Sequence, residues 1–271
     1  MNNQIELQYH GFINTPSLWA NNDIYGLNQF KFENYYRKIN NLKQFNANRL
    51  GKRVEQFVVF HLNLLEDINI IDKNIQIKKD KRTIGELDLL LLNKNQATHI
   101  EIIYKFYLYD TSIDSRNQLD KWIGPNKKDT LIYKLKKLKE KQLPLINHPN
   151  SKRLLENYFV SAKNIEQHVC FKAQLFIPYK TNQIDISPLN TSCIKGFYIP
   201  YSQLDRLKNC MFYIPKKLDW LIEPHLKVDW MSFDASKIEM NMYIGQLRSP
   251  LCWLRSKNNT LQKCFVTFWE N

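Results

Sequence analysis

Four charged residues interrupt two otherwise apolar runs between Ile84 and Tyr109: Glu86 and Asp88 in the first, Glu101 and Lys105 in the second. In a β-strand side chains alternate with period two, so each pair shares one face of its strand. The stretch Asn93-Lys94-Asn95-Gln96 between the runs carries a turn signal, which lets them fold back as a hairpin and brings the carboxylates together. Carboxylates inside apolar strands are costly to bury unless a cation compensates them. Two arrangements would do so, an ion pair with Lys105 or a bound divalent cation. Two or three carboxylates against one lysine leave negative charge over, which points to the cation, and oxygen ligands suit Mg²⁺.

The elements that position these residues follow from periodicity. From Asn48 to Asp67, Leu50, Val54, Phe57, Val58, His61, Leu62 and Leu65 recur at helical spacing behind Asn48 as N-cap, predicting a helix that packs on a sheet. Glu55 lies on the flank of that stripe, either bridged in solvent or reaching toward the carboxylates. Ile75 and Ile77 mark a short first strand, and the charged runs form the second and third. In the second strand Glu86, Asp88, Leu90 and Leu92 share a face. In the third, His99, Glu101, Ile103, Lys105 and Tyr107 do. Both faces are mainly apolar, as in a sheet covered on both sides.

After the turn-rich Trp122-Ile123-Gly124-Pro125-Asn126 a helix is expected from about Asp129 to Gln142, with Leu131, Ile132, Leu135 and Leu138 as its apolar stripe. Residues 127–142 hold seven Lys against Asp129 and Glu140, enough to cradle a phosphate backbone or simply to face solvent. Another helix is read over Ser151–Ala162 and another strand over His168–Tyr179. Further on, 197–207 and 212–221 echo one another as a short strand, a Pro stop and a helical turn, and Gln262–Trp269 reads as a final strand. The aromatics of the N-terminal lead and Trp220, Trp230, Trp253 and Trp269 are read as core.

With 271 residues, 44% hydrophobic and 13% aromatic, the chain has ample material for a core. The formal charge of +13 and pI near 9.4 favour a polyanionic partner, DNA or RNA. Five cysteines without a C-x-x-C spacing suggest neither a disulfide framework nor a zinc site. The N-terminal residues do not read as a signal peptide and no apolar stretch is long enough for a membrane span, so a cytoplasmic location without membrane contact is expected.

Through Leu50-Gly-Lys-Arg-Val-Glu-Gln56, Ile84-Gly-Glu-Leu-Asp-Leu-Leu90, 99–108, and 123–131 with 134–143, the sequence resembles the bacterial family called domain of unknown function 1853. That family in turn looks like a member of the PD-(D/E)XK nuclease superfamily. The resemblance implies an α/β (α+β) fold with a restriction-endonuclease-like core, a central mixed sheet flanked by helices in the order helix, three strands, helix, strand. Residues 1–45 would form an aromatic-rich lead packed on the core, 46–180 the core, and 181–271 a C-terminal α/β extension.

The motif implies Asp88 and Glu101 as catalytic ligands of Mg²⁺ or Mn²⁺ and Glu55 as an auxiliary ligand; Lys105 is the expected assisting catalytic residue, with Glu86 a weaker metal candidate and Gln142 in a second tier. The metal of such sites polarises the scissile phosphate and helps generate hydroxide, while a lysine stabilises charge or orients water. That lysine normally follows the acid by two residues. Here the position is Ile103, and Lys105 lies about 13 Å along an ideal strand from Glu101 instead of about 7 Å. Lys127, Lys128, Lys134, Lys137 and Lys141 are the expected nucleic-acid contacts. Three functions fit: a metal-dependent nuclease, a catalytically inactive nuclease-fold module that binds nucleic acid or protein, and a hydrolase of a small phosphorylated ligand.

Overall fold

A computed structural model of the chain describes residues 2–20, 24–31, 36–39, 41–158, 164–181 and 184–270. Part of the aromatic run at 30–39 and the end of the helix read to Ala162 lie outside the described residues. The architecture is mixed α/β: a nine-stranded mixed sheet in the hydrogen-bonding order β1-β2-β3-β5-β6-β9-β8-β7, with β4 paired to β3, flanked by helices. The strands are β1 (Ile68–Lys79), β2 (Arg82–Asn93), β3 (Gln96–Tyr109), β4 (Trp122–Ile123), β5 (Glu166–Pro178), β6 (Ile194–Pro200), β7 (Met211–Tyr213), β8 (Leu251–Arg255) and β9 (Leu261–Thr267). The helices are α1 (Asn2–Asn14), α2 (Leu50–Leu62), α3 (Leu131–Lys137), α4 (Pro149–Glu156) and α5 (Phe233–Gly245). No helix among the described residues is long and apolar enough to cross a membrane.

The chain divides into two compact units, and β3 and β5 contribute to both. One unit comprises Ser17–Tyr104 and Tyr133–Lys172. It contains α2 and the meander β1-β2-β3, whose two hairpins close tightly. Asn93 pairs with Gln96 and both residues between them, Lys94 and Asn95, have positive φ, the two-residue turn whose twist matches the strands it joins. Lys79 pairs with Arg82 across a turn with Asp80 at positive φ. Ile75, Ile77, Leu87 and Leu90 of the strands pack with Ile146 and Leu155 into a buried cluster.

Several boundaries differ from the sequence reading for local reasons. The first strand runs from Ile68 rather than Ile75, and α2 stops at Leu62 instead of continuing toward Asp67, because residues 63–67 tighten into turns, with the Leu65 N–H donating to the Leu62 carbonyl, before β1 opens. Its N-cap is Arg49, without a side-chain capping bond, and not Asn48. Helix α4 starts two residues earlier than Ser151, with Pro149 at the first helical position and the His148 ring accepting the Asn150 N–H. The basic helix is α-helical only to Lys137, then widens into a π turn (Leu138–Gln142) and tightens into a 3₁₀ turn (Leu143–Asn147).

The other unit comprises Met1–Pro16, Lys105–Ile132 and Ala173–Asn271. Here β5-β6 and β6-β9 are parallel, while β9-β8 and β8-β7 are antiparallel. The echo read at 197–207 and 212–221 is present as β6 followed by a 3₁₀ turn (Tyr201–Leu207) and β7 followed by another (Lys217–Leu221). Trp220, Trp253 and Trp269 are core, but Trp230 is only half-buried, lying beneath the Arg255 guanidinium 5.2 Å away. Helix α1 packs on the turn Lys217–Leu221 at Gly11, where a Cβ would stand 1.9 Å from the Leu221 carbonyl oxygen. Gly11→Ala is therefore expected to force the helix off this turn and lower stability by about 1–3 kcal/mol, read from a denaturant midpoint that falls without a change of slope.

Candidate metal and phosphate site

The β2–β3 ladder runs from Asn93↔Gln96 to Leu89↔Ile100 and stops, although both strands continue. Extended by one step, the register sets Asp88 opposite Glu101, at the mouth of a fork. Below the fork β2 pairs with β1, Leu87 opposite Ile75 and Glu86 opposite Gln76. The Ile102 N–H, which a continued ladder would bring to Leu87, instead donates to Asp88 Oδ2 at 2.9 Å. A side-chain carboxylate has replaced a strand neighbour, and the strands part around it.

Glu101 is fully buried. Gln142 Nε2 donates to its Oε2 at 2.5 Å, and His99 Nε2 lies 3.2 Å from its Oε1. Gln167 Nε2 donates to the Leu143 carbonyl at 2.6 Å, which fixes its amide, so the same NH₂ donates to His99 Nδ1 at 3.3 Å. His99 therefore carries its proton on Nε2 and donates to Glu101. Gln142 is oriented in turn by Lys134 Nζ, 2.6 Å from its Oε1. Each oxygen of Glu101 thus meets one donor, and a relay leads from the basic helix to the carboxylate.

Around this pair the charge balance is negative. Burial raises the Asp88 pKa to about 7, helped by the Glu101 charge and opposed by the Ile102 N–H. Glu55, on α2, is also pushed up, mainly by burial, with Glu86 and Glu101 adding to it and Lys52 opposing. Lys52 Nζ bridges Glu55 Oε2 at 2.8 Å and Glu86 Oε1 at 2.7 Å, and donates to Asn74 Oδ1. Burial works to lower the Lys52 pKa, but these two carboxylates outweigh it and raise the value. One cation thus serves Glu55 and Glu86, while Asp88 and Glu101 share no lysine among the hydrogen bonds and ion pairs of the described residues.

Lys105 is engaged elsewhere. In the other unit its Nζ lies 2.6 Å from Asp129 Oδ2. Of the lysines read as nucleic-acid contacts, Lys128, Lys137 and Lys141 are exposed. Lys127 is exposed too, but stacks over Trp269 and stands 3.6 Å from Asp110, and Lys134 is half-buried in its bond to Gln142. Lys52, His99, Gln167 and Asp129 were not singled out from sequence. His99 carried a signal, since it shares a strand face with Glu101 two residues on, and Lys52 precedes Glu55 by three residues on one helical face.

Among the described residues, no group of three or more His, Cys, Asp or Glu side chains is arranged to hold a metal ion. Two adjacent carboxylates still fit Mg²⁺, which commonly binds through one or two carboxylates and keeps water or phosphate oxygens in its remaining positions. Asp88 and Glu101 are the residues that would hold it, with Glu55 nearest in electrostatic influence. A family model described as "Domain of unknown function (DUF1853)" matches residues 32–263. No curated protein and no solved structure matches the chain.

Proposed function

Since the chain belongs to the DUF1853 family, whose description assigns no activity, the function rests on the site, and we propose a Mg²⁺- or Mn²⁺-dependent nuclease acting on DNA or RNA. The observation that carries this reading is the fork, where the strand register sets Asp88 opposite buried Glu101, within electrostatic reach of it, with surplus negative charge. Such a site is a poor way to stabilise a fold and a good way to prepare for a cation. The order α2, β1-β2-β3, α3 and α4, β5 also suits a restriction-endonuclease-like core.

In this reading the bound metal supplies charge neutralisation at the scissile phosphate and a more acidic water. Gln142 and His99 hold the Glu101 carboxylate in one orientation, so that no reorganisation is needed when phosphate arrives. Asp88, whose pKa burial raises to about 7, would have to be ionised to hold the cation, so metal binding is expected to be stronger above pH 7 than below it. Exposed Lys128, Lys137 and Lys141 attract the phosphate backbone.

The test is incubation of the purified protein with labelled single-stranded and duplex DNA and RNA in Mg²⁺, in Mn²⁺ and in EDTA. Cleavage in either metal and none in EDTA is expected. A second reading, a catalytically inactive nucleic-acid-binding module, draws on the internal bonding of Glu101 and on the pairing of Lys105 with Asp129. Salt-sensitive binding without cleavage of any substrate would select it.

A further inference from the structure

The loop from Gly124 to Asp129 is built to present one carboxylate. The Gly124 N–H donates to the Asp129 carbonyl at 2.8 Å, the Lys127 N–H donates to the Gly124 carbonyl at 2.9 Å, and Ile123 bridges Thr130. A Cβ on Gly124 would lie 1.9 Å from Asp129 Oδ1, so the missing side chain is what lets Asp129 occupy its place. That carboxylate holds Lys105, and its charge also reaches Lys217 and the Tyr107 hydroxyl.

Lys217 is an exposed residue that turns its ammonium inward, 3.2 Å above the Trp220 ring and 5.3 Å from that of Phe106. Burial there, together with the Lys105 charge, lowers its pKa to about 7, with Asp129 opposing. Lys105 bonds this carboxylate and Lys217 stands within its electrostatic reach beside Phe106, so two ammonium groups face a single carboxylate charge. Tyr107 is fully buried, and its hydroxyl has no hydrogen-bond partner among the described residues. A buried hydroxyl without a partner is destabilising and calls for an acceptor.

We propose that Lys105, Lys217 and the Tyr107 hydroxyl form a seat for a phosphate group, with Asp129 as the placeholder that keeps Lys105 in position until phosphate displaces it. A phosphate supplies what the cluster lacks. Its charge balances both lysines, and its several oxygens let it accept from the buried hydroxyl while contacting two ammonium groups. Trp220 and Phe106 restrict where the Lys217 head can lie, so the seat is partly preformed. The seat deepens the nucleic-acid reading above but does not depend on catalysis.

The test therefore runs in EDTA at pH 6, where Lys217 carries its charge. Binding of a labelled single-stranded oligonucleotide is measured across a salt series, and binding of inorganic phosphate by calorimetry, for the wild type, Lys217→Gln and Lys217→Arg. Lys217→Gln should weaken oligonucleotide binding about fivefold and reduce the salt slope by about one, with Lys217→Arg restoring both. Loss in the oligonucleotide arm assigns the seat to the nucleic-acid backbone, and loss with inorganic phosphate alone assigns it to a free phosphate group. Unchanged binding in both arms, or a loss that Lys217→Arg fails to restore, overturns the seat. Cleavage plays no part in the readout, so failure of the nuclease proposal would leave this result interpretable.

Discussion

Asp88→Asn is expected to make the protein more stable at pH 8, to leave stability nearly unchanged below pH 4, and to abolish metal-dependent cleavage. The sign follows from linkage. The Asp88 pKa rises from 3.8 to about 7 on folding, so the folded protein favours the neutral carboxyl. Its contribution is fully present below the unfolded pKa and is lost as pH climbs through the folded one. At about 1.36 kcal/mol per unit, a rise of about three units costs the folded state up to about 4 kcal/mol once both forms are ionised. Asparagine keeps an oxygen for the Ile102 N–H and removes the charge beside Glu101. Thermal melts of both proteins from pH 4 to pH 8 read the difference directly. A variant that gains stability while losing activity marks a residue kept for chemistry at the expense of the fold.

Glu101→Gln should behave in the opposite way. Both Glu101 oxygens face donors, Gln142 Nε2 on one and His99 Nε2–H on the other. An amide presents NH₂ to one of them whichever way it is turned. His99 cannot resolve the conflict by shifting its proton to Nδ1, because that nitrogen already accepts from Gln167. One buried donor is left facing another, at a cost of about 1–3 kcal/mol. Removing the Glu101 charge also relieves Asp88, so the cost is best read in an Asp88→Asn background, where that relief is absent. Urea midpoints of the double and single variants give it, and a midpoint at or above that of Asp88→Asn alone would show that the donor relay is not formed. Cleavage is expected to be lost in Glu101→Gln alone and to be absent from the double variant, as from Asp88→Asn.

The contrast between these two carboxylates marks what the amino-acid sequence can and cannot convey. Parity along two strands and a two-residue turn were enough to set Asp88 and Glu101 near one another, because alternation and hairpin closure are local properties. The fork itself was not legible, since nothing in the order of residues says that Asp88 will take the Ile102 N–H and end the ladder. The contacts of distant partners were not legible for the same reason: Lys52 meets Glu86 across 34 residues, and Gln142, a second-tier candidate from the start, bonds Glu101 across 41. Lys105 was expected near the carboxylates because it shares their strand pattern, and it instead bonds Asp129, delivered by a loop whose shape depends on Gly124. Helix α5 escaped notice because Ile238 and Met242 are exposed on it, which blurs the apolar stripe that would have marked it. Its N-cap, Ser232, donates no periodicity, although its hydroxyl accepts the Ala235 N–H.

Whether Asp88 and Glu101 together hold a divalent cation, as proposed, is read from metal binding itself. Calorimetric titration with Mn²⁺ near pH 7, repeated in buffers of different ionisation enthalpy, tests it most directly. The wild type should bind Mn²⁺ with release of part of a proton from Asp88, Asp88→Asn should bind weakly without that release, and Glu101→Gln should bind weakly as well. Absence of binding to the wild type, or binding that neither substitution alters, would show that these two carboxylates do not form a metal site.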